Sequence, residues 1–124
     1  MGGRGAAMYP AGFSVYEFET VKIVEGIKVL EPKNKKDSFK MPAMSNTPGT
    51  TYIMLSSDGK SAMLRKYGQD RHPVIDFEYD WHGSIKTWHV QTWKGGVRQK
   101  DYRLMTVKEK KRYARLFKKA GLKL

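Results

Sequence analysis

The sequence predicts an α+β fold, with an antiparallel sheet of about five to six strands and a C-terminal helix packed on it. Short segments rich in β-branched and aromatic residues follow one another along most of the chain, separated by turn residues. The end of the chain instead carries apolar residues at helical spacing. With 124 residues, the chain is long enough for one modest core. We therefore expect a single α+β domain at residues 13–124, after a glycine-rich, disordered tail at residues 1–12.

The predicted strands are joined by recognisable turn signals. Glu25–Gly26 offers one turn, and Asp58–Gly59 offers a stronger one because a tight hairpin turn needs positive φ angles that glycine tolerates. Residues 33–40 read as a charged loop, and residues 42–49 as a turn or single helical turn that ends at Pro48–Gly49. The segments with strand character are residues 13–24, 27–32, 50–55, 61–67, 74–81 and 87–93.

A helix is predicted at the end of the chain. Thr106 and Glu109 have the spacing of a capping box, in which each side chain satisfies a backbone N–H of the first turn. Gly121 fits the position just after a helix, where a left-handed conformation is favoured. The residues expected to face the sheet form one apolar stripe, Tyr113, Leu116, Phe117 and Ala120.

The chain is strongly basic, with 24 Lys and Arg residues against 12 Asp and Glu and a net charge of +12. Such a small basic protein is attracted to polyanions, so we expect RNA, DNA or a nucleoprotein as its partner, held through phosphate contacts. The predicted helix has few acids to pair with its lysines, which favours such a partner. The candidate nucleic-acid-binding residues are Arg65, Arg71, Arg98, Lys100, Arg103, Lys108, Lys111, Arg112, Arg115, Lys118 and Lys119.

The strand predicted at residues 74–81 has two different faces. Large apolar residues, from Ile75 to Trp81, alternate with Asp76, Glu78 and Asp80, which we call the acidic row. Successive side chains of a strand point to opposite faces, so the three carboxylates share one face and repel one another. A functional site is therefore expected on this strand and on the following one, which carries His89.

Three interpretations of this site remain open. In the first, His89 is a general acid or base, Glu78 is an alternative base, and Lys86 or a nearby arginine steadies a phosphate, as a metal-independent ribonuclease requires. In the second, the acidic row binds a hard divalent cation together with His82 or His89. In the third, the carboxylates only form ion pairs with the many lysines and arginines. The high positive charge favours the first over the second, so neither a metal nor a cofactor is expected.

Several segments of the chain carry a resemblance to a known group of proteins: GGRGA, YEFETVKIVEGIKVLEP, TYIMLSSDGKSAMLRKY, VIDFEYDWHG and TVKEKKR. In this order they resemble small proteins of phages and integrative elements of Gram-positive bacteria. Some of those proteins are similar to phage-borne ribonuclease-toxin domains of the barnase, EndoU, colicin and RelE type. The resemblance implies a ribonuclease-like toxin domain, or else a non-enzymatic inhibitor of host defence of the anti-CRISPR kind, which binds an RNA-guided nuclease or its guide RNA.

The sequence also bears on compartment. It contains no cysteine, which excludes disulfides and thiolate metal sites. No segment has the apolar length of a signal peptide or of a membrane span. We therefore expect the host cytoplasm as the location and no membrane as a partner.

Overall fold

The computed structural model describes residues 18–33 and 40–124, and the fold in these residues is α+β, as predicted. One sheet contains all seven of their strands, and a single helix follows it. The strands are β1 (Phe18–Val24), β2 (Ile27–Pro32), β3 (Thr51–Leu55), β4 (Ala62–Tyr67), β5 (Pro73–His82), β6 (Ile85–Lys94) and β7 (Val97–Leu104), and the helix is α1 (Val107–Ala120). The predicted tail at residues 1–12 and the first residues of the first predicted strand, 13–17, lie outside the described residues.

The strands lie in the sheet in their sequence order, and all neighbours but one are antiparallel. The exception is β2 with β3, which run parallel, with Val29 opposite Ile53. The prediction of an antiparallel sheet is therefore wrong for this pair of strands. A tight turn can only reverse a strand, whereas the long connection from Pro32 to Thr51 brings the chain back to the end of the sheet where β2 began.

The prediction of five to six strands is also wrong, because β7 was not recognised. Its sequence, VRQKDYRL, is polar and almost entirely exposed, so no apolar alternation marks it as a strand. Gly95 and Gly96 have φ values of 54° and 80° and form the two-residue turn from β6 into β7. Backbone pairing to β6, rather than burial of its side chains, holds β7 in the sheet.

Helix α1 has the ends and the buried face that its sequence predicts. The Thr106 side chain accepts a hydrogen bond from the Glu109 backbone N–H, and the Glu109 carboxylate accepts one from the Thr106 N–H. Gly121 ends the helix in the left-handed region, with φ of 117°. The four stripe residues are all buried. In the described part of the chain, no helix is long and apolar enough to cross a membrane.

The sheet has two chemically different faces. On one, the helix face, Phe77 stacks on Tyr113 of α1 with ring centroids 4.1 Å apart, and Leu64 and Val90 complete the same core. The opposite face, here called the cleft face, holds a smaller apolar cluster around Tyr52 on its β1–β4 side. Towards β5, β6 and β7 its side chains become polar, and these form the candidate site.

Candidate functional site

The register of β5 and β6 brings the acidic row opposite polar residues of the next strand. Glu78 pairs with His89, and Asp76 pairs with Gln91. A two-residue turn at Gly83–Ser84 sets this register, and Gly83 supplies its positive φ of 67°. Paired residues of neighbouring strands share a face, so Glu78 and His89 both lie on the cleft face.

A cleft of about 470 Å³ opens above these residues. Seven of its lining residues carry ionisable groups: Lys40, Arg65, Glu78, Asp80, His82, His89 and Arg98. His82 and Trp93 also add aromatic surface. Its size matches that of small-molecule sites, about 300–1,000 Å³, so it has room for a group such as one nucleotide.

Glu78 is the least satisfied group in the cleft. Its side chain is only 5% exposed, and its buried Oε2 has no hydrogen-bond partner among the described residues. Two nitrogens face this oxygen beyond hydrogen-bonding distance, Nε2 of His89 at 3.7 Å and Nη2 of Arg98 at 3.8 Å. Burial, and next the negative charge of Asp76, raise the pKa of Glu78 to about 7. A substantial share of this carboxyl group therefore holds its proton at neutral pH.

His89 is buried and held in one orientation by its own strand. Its Nδ1 lies 3.3 Å from the carbonyl oxygen of Thr87 and 3.0 Å from the hydroxyl of the same residue. A carbonyl oxygen only accepts hydrogen bonds, so this position suits the tautomer with the proton on Nδ1, in which Nε2 presents a lone pair to Glu78. Burial lowers the pKa of His89, which keeps the ring neutral at pH 7. A proton donor and a proton acceptor thus face each other.

Asp76 differs from Glu78 because it is fully paired. Arg65 donates from Nε and Nη2 to its two oxygens at 2.7 and 3.0 Å, and Trp93 donates from Nε1 at 2.9 Å. Arg65 is 7% exposed and also donates to the carbonyl oxygen of Pro42. The interpretation of the acidic row as ion-pair anchors therefore describes Asp76. Arg65, which the sequence predicted as a nucleic-acid contact, is therefore a member of this buried network.

Arg98 is the exposed cation nearest to Glu78. About half of its side chain is exposed, and Nη2 donates to Oε1 of Gln91 at 3.3 Å. The Gln91 amide in turn donates to the carbonyl oxygens of Gln99 and Asp101. These carbonyls belong to a bulge in which residues 99–101 of β7 lie opposite Thr92. Gln91 thus fixes both the bulge and the arginine.

Lys86 is not brought to the pair. It lies opposite Trp81, on the helix face, where its Nζ sits 4.8 Å from the centre of the Tyr79 ring and donates to the carbonyl oxygen of Lys60. Lys86 was expected to steady a phosphate beside the pair. Arg98, and not Lys86, is the cation that lies there. In residues 18–33 and 40–124, no group of three or more His, Cys, Asp or Glu side chains is arranged to hold a metal ion.

The predicted cations of the helix lie on the far side of the sheet from the cleft, since α1 covers the helix face. Some of these cations form ion pairs with carboxylates. Arg115 and Lys119 both bind Glu25 in the β1–β2 turn, and Arg103 of β7 binds Glu109 of the helix. Elsewhere, Arg71 is half-buried in the turn before β5, and Lys100 is exposed in the β7 bulge. Within the described chain, no carboxylate reaches the exposed residues Lys108, Lys111, Arg112 and Lys118.

Two further aromatic side chains, His82 and Tyr102, lie beside the pair. His82, named above as a candidate metal ligand, is the last residue of β5 and lines the cleft. Its ring centroid lies 3.7 Å from that of Tyr102 on β7 and 5.3 Å from that of His89. One signal was present: His82 follows Glu78 by an even number of residues, which places both on one face of a strand. No such alternation places Tyr102, because the sequence of β7 is polar and exposed throughout most of its length.

The chain matches no protein-family model, no curated protein and no solved structure. Support for a function therefore comes from the cleft itself. Its distinctive feature is the pair of Glu78 and His89, whose Oε2 and Nε2 face each other without a hydrogen bond beside the guanidinium of Arg98.

Proposed function

We propose that this protein binds RNA in the cleft and cleaves its backbone by metal-independent acid–base catalysis, as a ribonuclease-like domain. The observation that carries the proposal is the buried Oε2 of Glu78, unpaired among the described residues and 3.7 Å from Nε2 of His89. Leaving a buried acceptor without a hydrogen bond costs stability, and a catalytic role is one explanation for such a group. The net charge of +12 supplies the attraction to a polyanionic substrate.

The protonation states of the pair favour one division of roles. Burial moves the pKa of Glu78 up and that of His89 down, which makes the carboxyl group the acid and the imidazole the base at neutral pH. In this scheme Nε2 of His89 takes the proton of a ribose 2′-hydroxyl, and the 2′-oxygen attacks the adjacent phosphorus. The bond from phosphorus to the 5′-oxygen breaks, and Glu78 gives its proton to that oxygen.

Arg98 completes the scheme as the group that holds the phosphate. Its guanidinium points at the cleft beside Glu78, and half of the side chain is open to solvent. A planar guanidinium suits two phosphate oxygens at once, and it stabilises the negative charge that builds up on them during the transfer. Gln91 is a positioning residue, since it binds Arg98 and the β7 bulge without facing the phosphate.

The proposal is tested by incubating the protein with single-stranded RNA in the presence of a chelator. We expect fragments that end in a 2′,3′-cyclic phosphate and begin with a 5′-hydroxyl, because the 2′-oxygen is the nucleophile. An all-deoxy strand of the same sequence is the matched control and should stay intact. RNA that remains uncut, or that is cut only when a divalent cation is added, would contradict the proposal.

The exposed face of α1 favours a second function, that of a binder which performs no chemistry. Lys108, Lys111, Arg112 and Lys118 have no carboxylate partner in the described chain and lie away from the cleft. A phosphate backbone on this face would relieve their mutual repulsion. This arrangement suits an inhibitor of host defence that binds an RNA-guided nuclease or its guide RNA.

The triple variant Lys111→Glu, Arg112→Glu, Lys118→Glu tests the basic helix face. We expect it to weaken RNA binding at least tenfold and to flatten the salt dependence of binding, because three phosphate contacts are lost. Affinity is measured by fluorescence anisotropy at several salt concentrations. Substituting the pair Arg115 and Lys119 is the matched control, since Glu25 already neutralises part of their charge. Affinity equal to wild type in the triple variant would remove this face from RNA binding.

A further inference from the structure

We propose that His82 and Tyr102 form a stacking subsite for one unpaired nucleobase at the rim of the cleft, so that the protein selects single-stranded over double-stranded RNA. This inference rests on the proposed function, because it names the form of RNA that the same cleft accepts. It concerns recognition of the substrate and assigns neither residue a part in the proton transfers.

The two rings are already arranged as part of a stack. Their centroids are 3.7 Å apart and their planes are tilted by 31°. Tyr102 is 42% exposed, and His82 is exposed and lines the cleft, so both rings remain accessible to a ligand. Aromatic rings presented beside a cationic groove are the usual platform for the bases of a single strand.

Their position ties the subsite to the acid–base pair. The His89 ring contacts both rings edge-on, with centroids 5.3 Å from His82 and 5.5 Å from Tyr102. A base stacked at the rim would therefore lie one ring away from His89, and its own sugar and phosphate would fall towards Glu78 and Arg98. The two short strand connections, residues 83–84 and 95–96, hold this geometry because they fix the pairing of β5, β6 and β7.

The strand selectivity follows from what a duplex exposes. In a double helix both faces of each base are covered by its neighbours and its pairing edge is occupied, so a side-chain ring has no base to stack on. A cleft of about 470 Å³ admits a single nucleotide, not two paired strands.

The test measures binding of a 2′-O-methyl RNA octamer, which lacks the attacking hydroxyl, as a single strand and as a duplex. We expect the single strand to bind wild type more tightly than the duplex. His82→Ala and Tyr102→Ala should each weaken single-strand binding about tenfold, because one stacking contact is lost or unsupported. His82→Phe and Tyr102→Phe keep a ring and should bind close to wild type. Duplex binding should be the same in all five proteins.

Ile23→Ala is the matched control. It also removes an exposed side chain, but one that lies on β1. The subsite is overturned if both alanine variants bind the single strand like wild type, or if wild type prefers the duplex. If the subsite is overturned in this way but the protein still cleaves RNA, the proposed function remains supported. If binding to the octamer depends on the two rings but the protein leaves unmodified RNA uncut, the subsite is supported and the proposed cleavage is rejected.

Discussion

Glu78→Gln is expected to lower the rate of RNA cleavage at neutral pH by about 10²–10⁴-fold, the usual contribution of a general acid or base. The amide keeps the shape of the side chain but has no proton to give to the leaving oxygen. His89→Ala should lose a similar factor, because the 2′-hydroxyl then has no base. The double variant should be little slower than either single one, since the two groups act as a unit.

The pH dependence of the rate gives this prediction a second readout. The active form has His89 neutral and Glu78 protonated, so the rate should rise as the pH passes the lowered pKa of His89 and fall as it passes about 7. The residual activity of Glu78→Gln should lack the alkaline fall. Asp101→Asn is the control, because it removes an exposed carboxylate of β7 outside the pair. A Glu78→Gln enzyme that is as fast as wild type would rule out the carboxyl group as the acid.

The same substitution should make the protein more stable above neutral pH. The pKa of Glu78 is raised from 4.5 in a model peptide to about 7 in the fold, so the folded state holds this proton more tightly than the unfolded state does. Stability from this group is complete below pH 4.5 and is lost as the pH rises to about 7. At pH 8 the ionised carboxylate therefore costs about 3 kcal/mol, which Gln does not incur.

Urea unfolding of wild type and Glu78→Gln between pH 5 and pH 8 measures this difference. The gap in unfolding free energy should be small at pH 5, grow up to pH 7 and then level off. Asp76→Asn is the contrasting variant, since it removes a carboxylate that Arg65 and Trp93 bind, and it should destabilise the protein at every one of these pH values. If the difference in unfolding free energy between wild type and Glu78→Gln does not change with pH, the pKa of Glu78 is not raised in the folded protein.

Local patterns were enough to predict most of the fold. The capping box of Thr106 and Glu109 and the stripe from Tyr113 to Ala120 depend on residues a few positions apart, and the structure confirms both. Strict alternation on β5 likewise predicts that Glu78 lies on the face opposite Phe77. The parallel pairing of β2 with β3 and the polar strand β7 leave no periodic trace in the sequence, so neither could be predicted.

The site could be predicted only as far as the register allowed. Sequence reasoning grouped Lys86 with His89 and Glu78 because they are close along the chain, but the two-residue turn after His82 places Lys86 on the helix face. The difference between the carboxylates of Asp76 and Glu78 is also non-local. Arg65 on β4 lies opposite Asp76, and no cation lies within hydrogen-bonding distance of Glu78 among the described residues.

The proposed reaction requires Glu78 to hold its proton at neutral pH in the cleft. An NMR titration of the side-chain carboxyl carbons, with the Glu78 signal assigned by its loss in Glu78→Gln, measures this directly and requires no choice of RNA. We expect the carboxyl group of Glu78 to titrate at about pH 7. Titration near 4.5, the value of an ordinary glutamate, would contradict it and would remove the proton donor from the proposed reaction.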